Sequence, residues 1–208
     1  MDSTEHHVPK KILILFAHPM IHRSNVNRAL IDAASRLDNI TIHDLYAAYP
    51  DFYIDVKYEQ ELLVKHDVVV FQHPLYWYSS PAMLKIWQDL VLQYGFAYGS
   101  EGTALKDKEF ISVITAGASK STYARDGINR YTIDELLRPI EQMAYFTGMH
   151  YLPPYVIYGT HRIRTRDILL SVKAYRQLLT HLRDKPIHYE EMQRNDIWTE
   201  LLSVLKVK

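Results

Sequence analysis

The chain contains no cysteine. Disulfide frameworks, thiolate nucleophiles and cysteine-held zinc or iron–sulfur clusters are therefore excluded, and any redox chemistry requires a bound cofactor. An excess of charge is also missing, since 24 Lys and Arg face 24 Asp and Glu. Nothing in that balance suggests a long-range field for nucleic acid or an anionic membrane, and a small neutral partner is easier to accommodate. No stretch approaches the ~18 uninterrupted apolar residues of a membrane helix, and residues 1–10 carry no apolar run able to form the core of a secretory signal. Cytoplasmic residence is the expectation. Internal repeats, low-complexity tracts and linkers are absent too.

What the chain has is enough apolar material for one core: 208 residues, 48% of them hydrophobic, which favours a single domain. It also has 16 tyrosines and 3 tryptophans, several packed between Tyr76 and Tyr98. Such density suits a planar ligand, and it suits a core or a subunit interface equally well.

Lys11 to Ala17 is a near-continuous apolar run of strand length, followed by a polar loop and a helical pattern from about Asn25. The pattern repeats four times. Ile40 to Leu45 precedes a helix over about Asp55 to Lys65, and Asp67 to Phe71 precedes one beginning at Pro81. Glu109 to Thr115 precedes one over about Thr132 to Thr147, and Tyr151 to Tyr158 precedes one over about Thr165 to Arg183. Five strands alternating with five helices imply a parallel sheet covered on both faces. Ser79-Ser80-Pro81 offers a hydroxyl cap with proline at the first helical position, and Thr132-Ile-Asp-Glu135 reads as a capping box. Beyond the fifth helix, Ile197, Trp198, Leu201, Leu202 and Leu205 fall at helical spacing. Residues 1–10 thus read as an N-terminal extension, 11–183 as the domain and 184–208 as an amphipathic helical extension.

Ligands of an open parallel sheet bind at the carboxyl ends of its strands, where three loops draw attention. The first, His18 to Asn27, is polar where a helix begins and its first amides lack partners. Two readings stay open: the loop holds a phosphate, or Ser24 or Asn25 caps the helix while His18 packs. The second is Gln72 to Pro81, with Tyr76, Trp77 and Tyr78 in succession. Three adjacent aromatics at a strand end cannot all enter the core, so at least one faces a cleft or a dimer contact. The third, Thr115-Ala116-Gly117-Ala118-Ser119, has small residues that let backbone approach a flat ligand and present consecutive N–H groups, as a reduced flavin needs near its N1 and C2 carbonyl. An ordinary tight loop accounts for it too.

His18-Pro19, Tyr49-Pro-Asp-Phe52, the block QHPLYWYSSPAMLKIWQD from Gln72 to Asp89, Gly95-Phe-Ala-Tyr-Gly99 and Leu152-Pro-Pro154 occur in an order that resembles the NAD(P)H:quinone oxidoreductase family. The resemblance runs from about Lys11 to Arg183 and is nearest to the bacterial branch of general stress protein 14 type reductases and ancillary subunits of glutathione-gated potassium efflux systems. It implies a flavodoxin-like three-layer α/β sandwich with five parallel strands in the order 2-1-3-4-5. It also implies FMN, or alternatively FAD, bound without a covalent link, NADPH or NADH as electron donor, a quinone or similar acceptor, ping-pong hydride transfer and a homodimer.

By the same resemblance, His18 and Ser24, Asn25, Val26 and Asn27 hold the flavin phosphate. Pro74 with Leu75, Tyr76, Trp77 and Tyr78 holds the isoalloxazine edge, and Thr115, Ala116, Gly117 and Ala118 its pyrimidine side. Tyr123 matches a family tyrosine placed over the flavin, and Asn129 stands where a histidine follows it. Asparagine donates a hydrogen bond but does not titrate, so a proton relay there is not expected. Ala118 replaces a family glycine, which leads one to expect a slightly different loop shape. The alternatives are a regulatory subunit docking on a potassium efflux transporter, and a one-electron carrier.

Other signals point to less. The 11 histidines offer no convergent metal set: His18 and His22 are four apart but lie in a loop. The run His161 to Arg166 suits a nucleotide 2′-phosphate, a partner's acidic surface, or a solvated loop. Asp44, Asp51 and Asp55 form no carboxylate pair.

Overall fold

The computed structural model describes residues 8–187. The extension helix expected around Ile197 to Leu205 lies outside them, as do the first seven residues.

Strand β1 (Ile12–Phe16) is the apolar run at the start, and every residue of it is buried. Pleating sends alternate side chains to opposite faces, so Ile12, Ile14 and Phe16 join one apolar cluster while Leu13 and Leu15 join another. Strand β2 (Ile40–Asp44) is a half-buried edge. Strands β3 (Val68–Pro74) and β4 (Glu109–Thr115) are seven residues each and fully buried, as strands covered on both faces must be. The fifth position is shared by β5 (His150–Tyr151) and β6 (Tyr155–Ile157), both paired with β4. All pairings are parallel, in the order 2-1-3-4-5 with β6 beside β4.

Helices α1 (Asn25–Ala34) and α7 (Thr165–Asp184) cover one face. The short α2 (Leu45–Ala48), α3 (Val56–Lys65), α4 (Ala82–Val91), α5 (Ile133–Leu136) and α6 (Arg138–Phe146) contribute to the cluster on the other. There Phe71 packs edge-on against Phe110 and Trp87, with ring centroids 4.7 and 5.6 Å apart. Such pairs add about 0.5–1.5 kcal/mol beyond their buried area.

That second face also buries a carboxylate. Glu59 on α3 has no exposed surface, and it accepts hydrogen bonds from the Tyr49 hydroxyl and from Trp87 Nε1 at 2.7 Å, with His43 Nε2 at 2.6 Å. Burial first, and then the Glu59 hydrogen bond, pushes the Tyr49 phenol far above its ordinary range, so it stays a donor.

Four local expectations need correction. The helix over 132–147 divides into α5 and α6 at Leu137, because Pro139 in the first turn of α6 cannot donate to the preceding turn. The final strand is interrupted at Pro153-Pro154, which also lack amide donors, leaving β5 and β6. Pro81 occupies the cap position of α4 rather than its first helical residue, with no side-chain cap bond. β3 continues through Gln72, His73 and Pro74, beyond the Phe71 at which the apolar run ends. The Thr132–Glu135 capping box forms as read, with both reciprocal bonds in place.

Candidate functional site

The carboxyl ends of β1, β3 and β4 lie side by side because the three strands are sheet neighbours, so their loops open onto one cleft. A cavity of about 550 Å³ is lined by His18, Ser24, Asn25, Val26, Asn27, Pro74, Leu75, Tyr76, Thr115 and Gly117. A second, of about 240 Å³, is lined by Leu75, Trp77, Tyr78, Gly117, Ala118, Tyr123 and Asn129. Leu75 and Gly117 belong to both, and the combined space is that of a small-molecule site. Of the residues named from sequence, Ala116 alone lines neither. It is buried, its N–H donates to Ile157 and its carbonyl accepts from Thr160.

One end of the larger cavity gathers groups that can donate to an anion. Ser24 caps α1, its Oγ accepting from the Asn27 amide at 3.2 Å, so capping and ligand binding are compatible roles for one residue. The amides of Asn25 and Val26, in the first turn, have no acceptor among the described residues, and the helix dipole adds its positive end. His18 Nδ1 accepts from the Met20 amide at 3.1 Å, which fixes the proton on Nε2 and leaves that nitrogen a donor. Burial lowers the His18 pKa, so the ring acts as a neutral donor rather than a fixed cation. Arg23, which the sequence reading passed over, lines the same end and supplies the cation.

Asn27 ties this end to the sheet. It is buried, and its Nδ2 donates to Thr115 Oγ1 at 2.9 Å and to Ser24 Oγ at 3.1 Å. Its Oδ1 is buried without a partner, an orphaned acceptor at the wall of the cavity whose loss of hydration a ligand donor would offset. The Thr115 carbonyl accepts from the Leu75 amide at 2.8 Å, so all three loops meet at Thr115.

The three aromatics divide as their chain directions require. Tyr76 and Ser79 exchange both backbone hydrogen bonds at 3.0 Å around Trp77 and Tyr78, whose φ angles are 47° and 65°. This is a two-residue hairpin turn of the kind that prefers Asn-Gly, and left-handed backbone costs a residue with a side chain roughly 1–2 kcal/mol. It turns Tyr76 toward His18, with ring centroids 6.0 Å apart, and leaves Trp77 92% exposed. The Tyr78 hydroxyl donates to Asn129 Oδ1 at 3.3 Å.

Tyr123 stands across the smaller cavity. Burial, assisted by Tyr78, raises its pKa, while the Ala118 backbone amide acts in the opposite direction, so the phenol keeps its proton near neutrality. Ala118 is not among the residues with positive φ, so alanine sits there without backbone strain. Met20, Thr160, His161 and Ile163 complete the larger cavity, and His161 lines the smaller one as well. The basic run is thus divided: His161 belongs to the cleft, while Arg164 forks onto Asp167 at the start of α7. A histidine among arginines after the last strand gave no sequence signal separating it from a solvated loop. Its role comes from the position of that loop.

Comparison with known proteins agrees with this fold. The family described as having the flavodoxin-like fold matches residues 10–181. The chain belongs to that family. The glutathione-regulated potassium-efflux system ancillary protein KefG of Salmonella paratyphi B is 48% identical over 173 residues, 83% of this chain and 94% of that protein. Among solved structures, general stress protein 14 from Treponema denticola, in complex with FMN, is 39% identical with a TM-score of 0.79, covering 83% of this chain and 99% of that one. An NADPH-quinone reductase from P. pentosaceus is 34% identical with a TM-score of 0.75, covering 82% and 98% respectively. Among the described residues no helix is long and apolar enough to cross a membrane.

Proposed function

We propose that this protein is an FMN-dependent oxidoreductase that takes reducing equivalents from NADPH or NADH and delivers them to a quinone or related two-electron acceptor. The observation that carries the reading is that a helix start with free amides opens onto a cleft that continues past Leu75 and Gly117 into the aromatic-lined second cavity. A planar ring bearing a phosphate tail fits such a cleft. FMN supplies hydride acceptance and donation when bound.

Each end of the cleft then has its own task. The Asn25 and Val26 amides, the Ser24 hydroxyl, His18 Nε2 and Arg23 would hold a phosphate, and the Leu75 to Tyr78 backbone the ring edge. The Gly117 amide, which has no acceptor among the described residues, would face the pyrimidine side. Tyr123, held protonated, donates a hydrogen bond on the acceptor side while keeping its proton. Asn129 orients Tyr78 through the bond from its hydroxyl. The exposed Trp77 turn suits burial in a homodimer, which sedimentation of the purified protein tests by mass.

The likeness to KefG favours a second role, docking on a potassium efflux transporter at the inner face of a membrane. Co-purification with such a transporter tests it separately from the chemistry. The enzymatic reading is tested by absorption after FMN reconstitution. Flavin bands that bleach with anaerobic NADPH and return with quinone are expected, and flavin that binds but does not bleach overturns the oxidoreductase assignment. FAD in place of FMN, and NADH in place of NADPH, are compared in the same cuvette.

A further inference from the structure

The geometry assigns His161 to the cofactor site as the side chain that, with the Gly117 amide, steadies negative charge on the reduced ring; this inference rests on the flavin reading above. Four observations lead there. The loop that follows β6 is laced to the loop that follows β4: the Gly159 amide donates to the Ala118 carbonyl at 2.8 Å, Thr160 donates to Ala116 through both its amide and its hydroxyl, and the His161 amide reaches Gly117 at 3.4 Å. This lacing fixes the position of His161 relative to the small-residue turn.

The ring, moreover, lies directly on Gly117. A Cβ added there would sit 2.2 Å from His161 Nε2, so the glycine is needed for the approach of this imidazole. Its φ is not positive, and no backbone requirement competes with that explanation.

No side-chain hydrogen bond engages the His161 ring among the described residues, and His161 lines both cavities. An imidazole exposed in a cleft with both nitrogens uncommitted can donate in either protonation state and carry a positive charge when protonated. Packing on Gly117 does not by itself account for its place at the junction of the two cavities.

The remaining groups able to carry positive charge there are committed elsewhere. His18 and Arg23 belong to the helix-start end, and Arg164 is forked onto Asp167; the Tyr78 and Tyr123 phenols carry no positive charge. Reduction of an isoalloxazine places negative charge near N1 and the C2 carbonyl, and a donor whose interaction strengthens as that charge develops favours the reduced form over the oxidised one. His161 therefore acts on the redox equilibrium more than on oxidised-cofactor affinity.

The test uses the full FMN-loaded chain and its His161→Ala and His161→Gln variants. The midpoint potential is read against a reference dye, the affinity for sulfite, whose addition to flavin N5 places negative charge at the same N1 and C2 carbonyl, by absorbance, and FMN affinity by fluorescence. His161→Ala should weaken sulfite binding at least about tenfold and bind reduced FMN about tenfold less well relative to oxidised, close to 30 mV for a two-electron couple. Oxidised FMN affinity should fall less than about threefold. His161→Gln, which keeps a donor without a charge, should fall between. An unchanged potential and unchanged sulfite affinity in both variants overturn the inference and leave His161 a packing residue. Wild-type protein that binds no FMN overturns the flavin reading and this one with it, whereas loss confined to the variants' potential bears on His161 alone.

Discussion

Single residues in this molecule are asked to do two things at once. Ser24 caps a helix and faces the cavity, and Asn27 braces two loops while presenting an unpaired acceptor. Replacing Asn27 with alanine leaves Thr115 Oγ1 without its buried partner and frees the first loop from β4. The variant should lose about 1–3 kcal/mol of stability in urea unfolding and bind FMN about tenfold more weakly, near 1.4 kcal/mol. Trp77 and Tyr78 show the opposite sign. Exchanging the pair for Asn-Gly should raise stability by about 1–3 kcal/mol while lowering quinone turnover, which paired denaturation and steady-state measurements resolve. Sequence showed that the three aromatics could not all be core; it could not show which one faced solvent, because that depends on a turn type its residues disfavour. Ala116 and His161 mark the same boundary. One belongs to a small-residue turn but spends its backbone on neighbours, and the other sits in a basic run but reaches the cleft.

Elements proved more legible than the residues that interrupt them. The limits of β1, α1, β4 and α7 follow from apolar runs and helix starts that depend on local chemistry. Proline interrupted the pattern twice, at Pro139 and at Pro153-Pro154, where apolar periodicity continues although the backbone cannot. Glu59 was invisible for a different reason: on α3 it reads as a surface charge, and only the packing of α4 and the segment after α2 encloses it. It now joins β2, α3, α4 and Tyr49 through one carboxylate. Glu59→Ala, which strands the Trp87 and Tyr49 donors, should cost about 3–5 kcal/mol in urea unfolding. Glu59→Gln, which keeps one acceptor oxygen, should cost less.

For the molecule as a whole, stability should depend on acidity through its buried imidazoles. His73 at the end of β3 is fully buried, donates Nδ1–H to the Pro74 carbonyl at 2.9 Å and leaves Nε2 unpartnered. Burial lowers its pKa from 6.5 to about 4. Between those values the unfolded chain binds a proton that the folded one refuses. The stability contributed by the neutral ring is therefore fully present above pH 6.5 and is lost as pH falls toward 4. His18, His66 and His181 are lowered by burial in the same direction. Unfolding free energy should decline as pH falls below 6.5, with His73 contributing up to about 1.4 kcal/mol per pH unit down to about pH 4. His73→Leu should flatten the profile, which urea titrations at successive pH values would show.

The lacing of residues 116–118 to 159–161 also governs when the cleft can exist at all. The helix-start end is made early in synthesis, whereas His161 and its partners leave the ribosome only after β6. A nascent chain halted before Gly159 carries the anion-binding end without the loop that closes over Gly117. Tight cofactor capture should thus be among the last events of folding rather than a template for it, and chains released prematurely would not retain the cofactor.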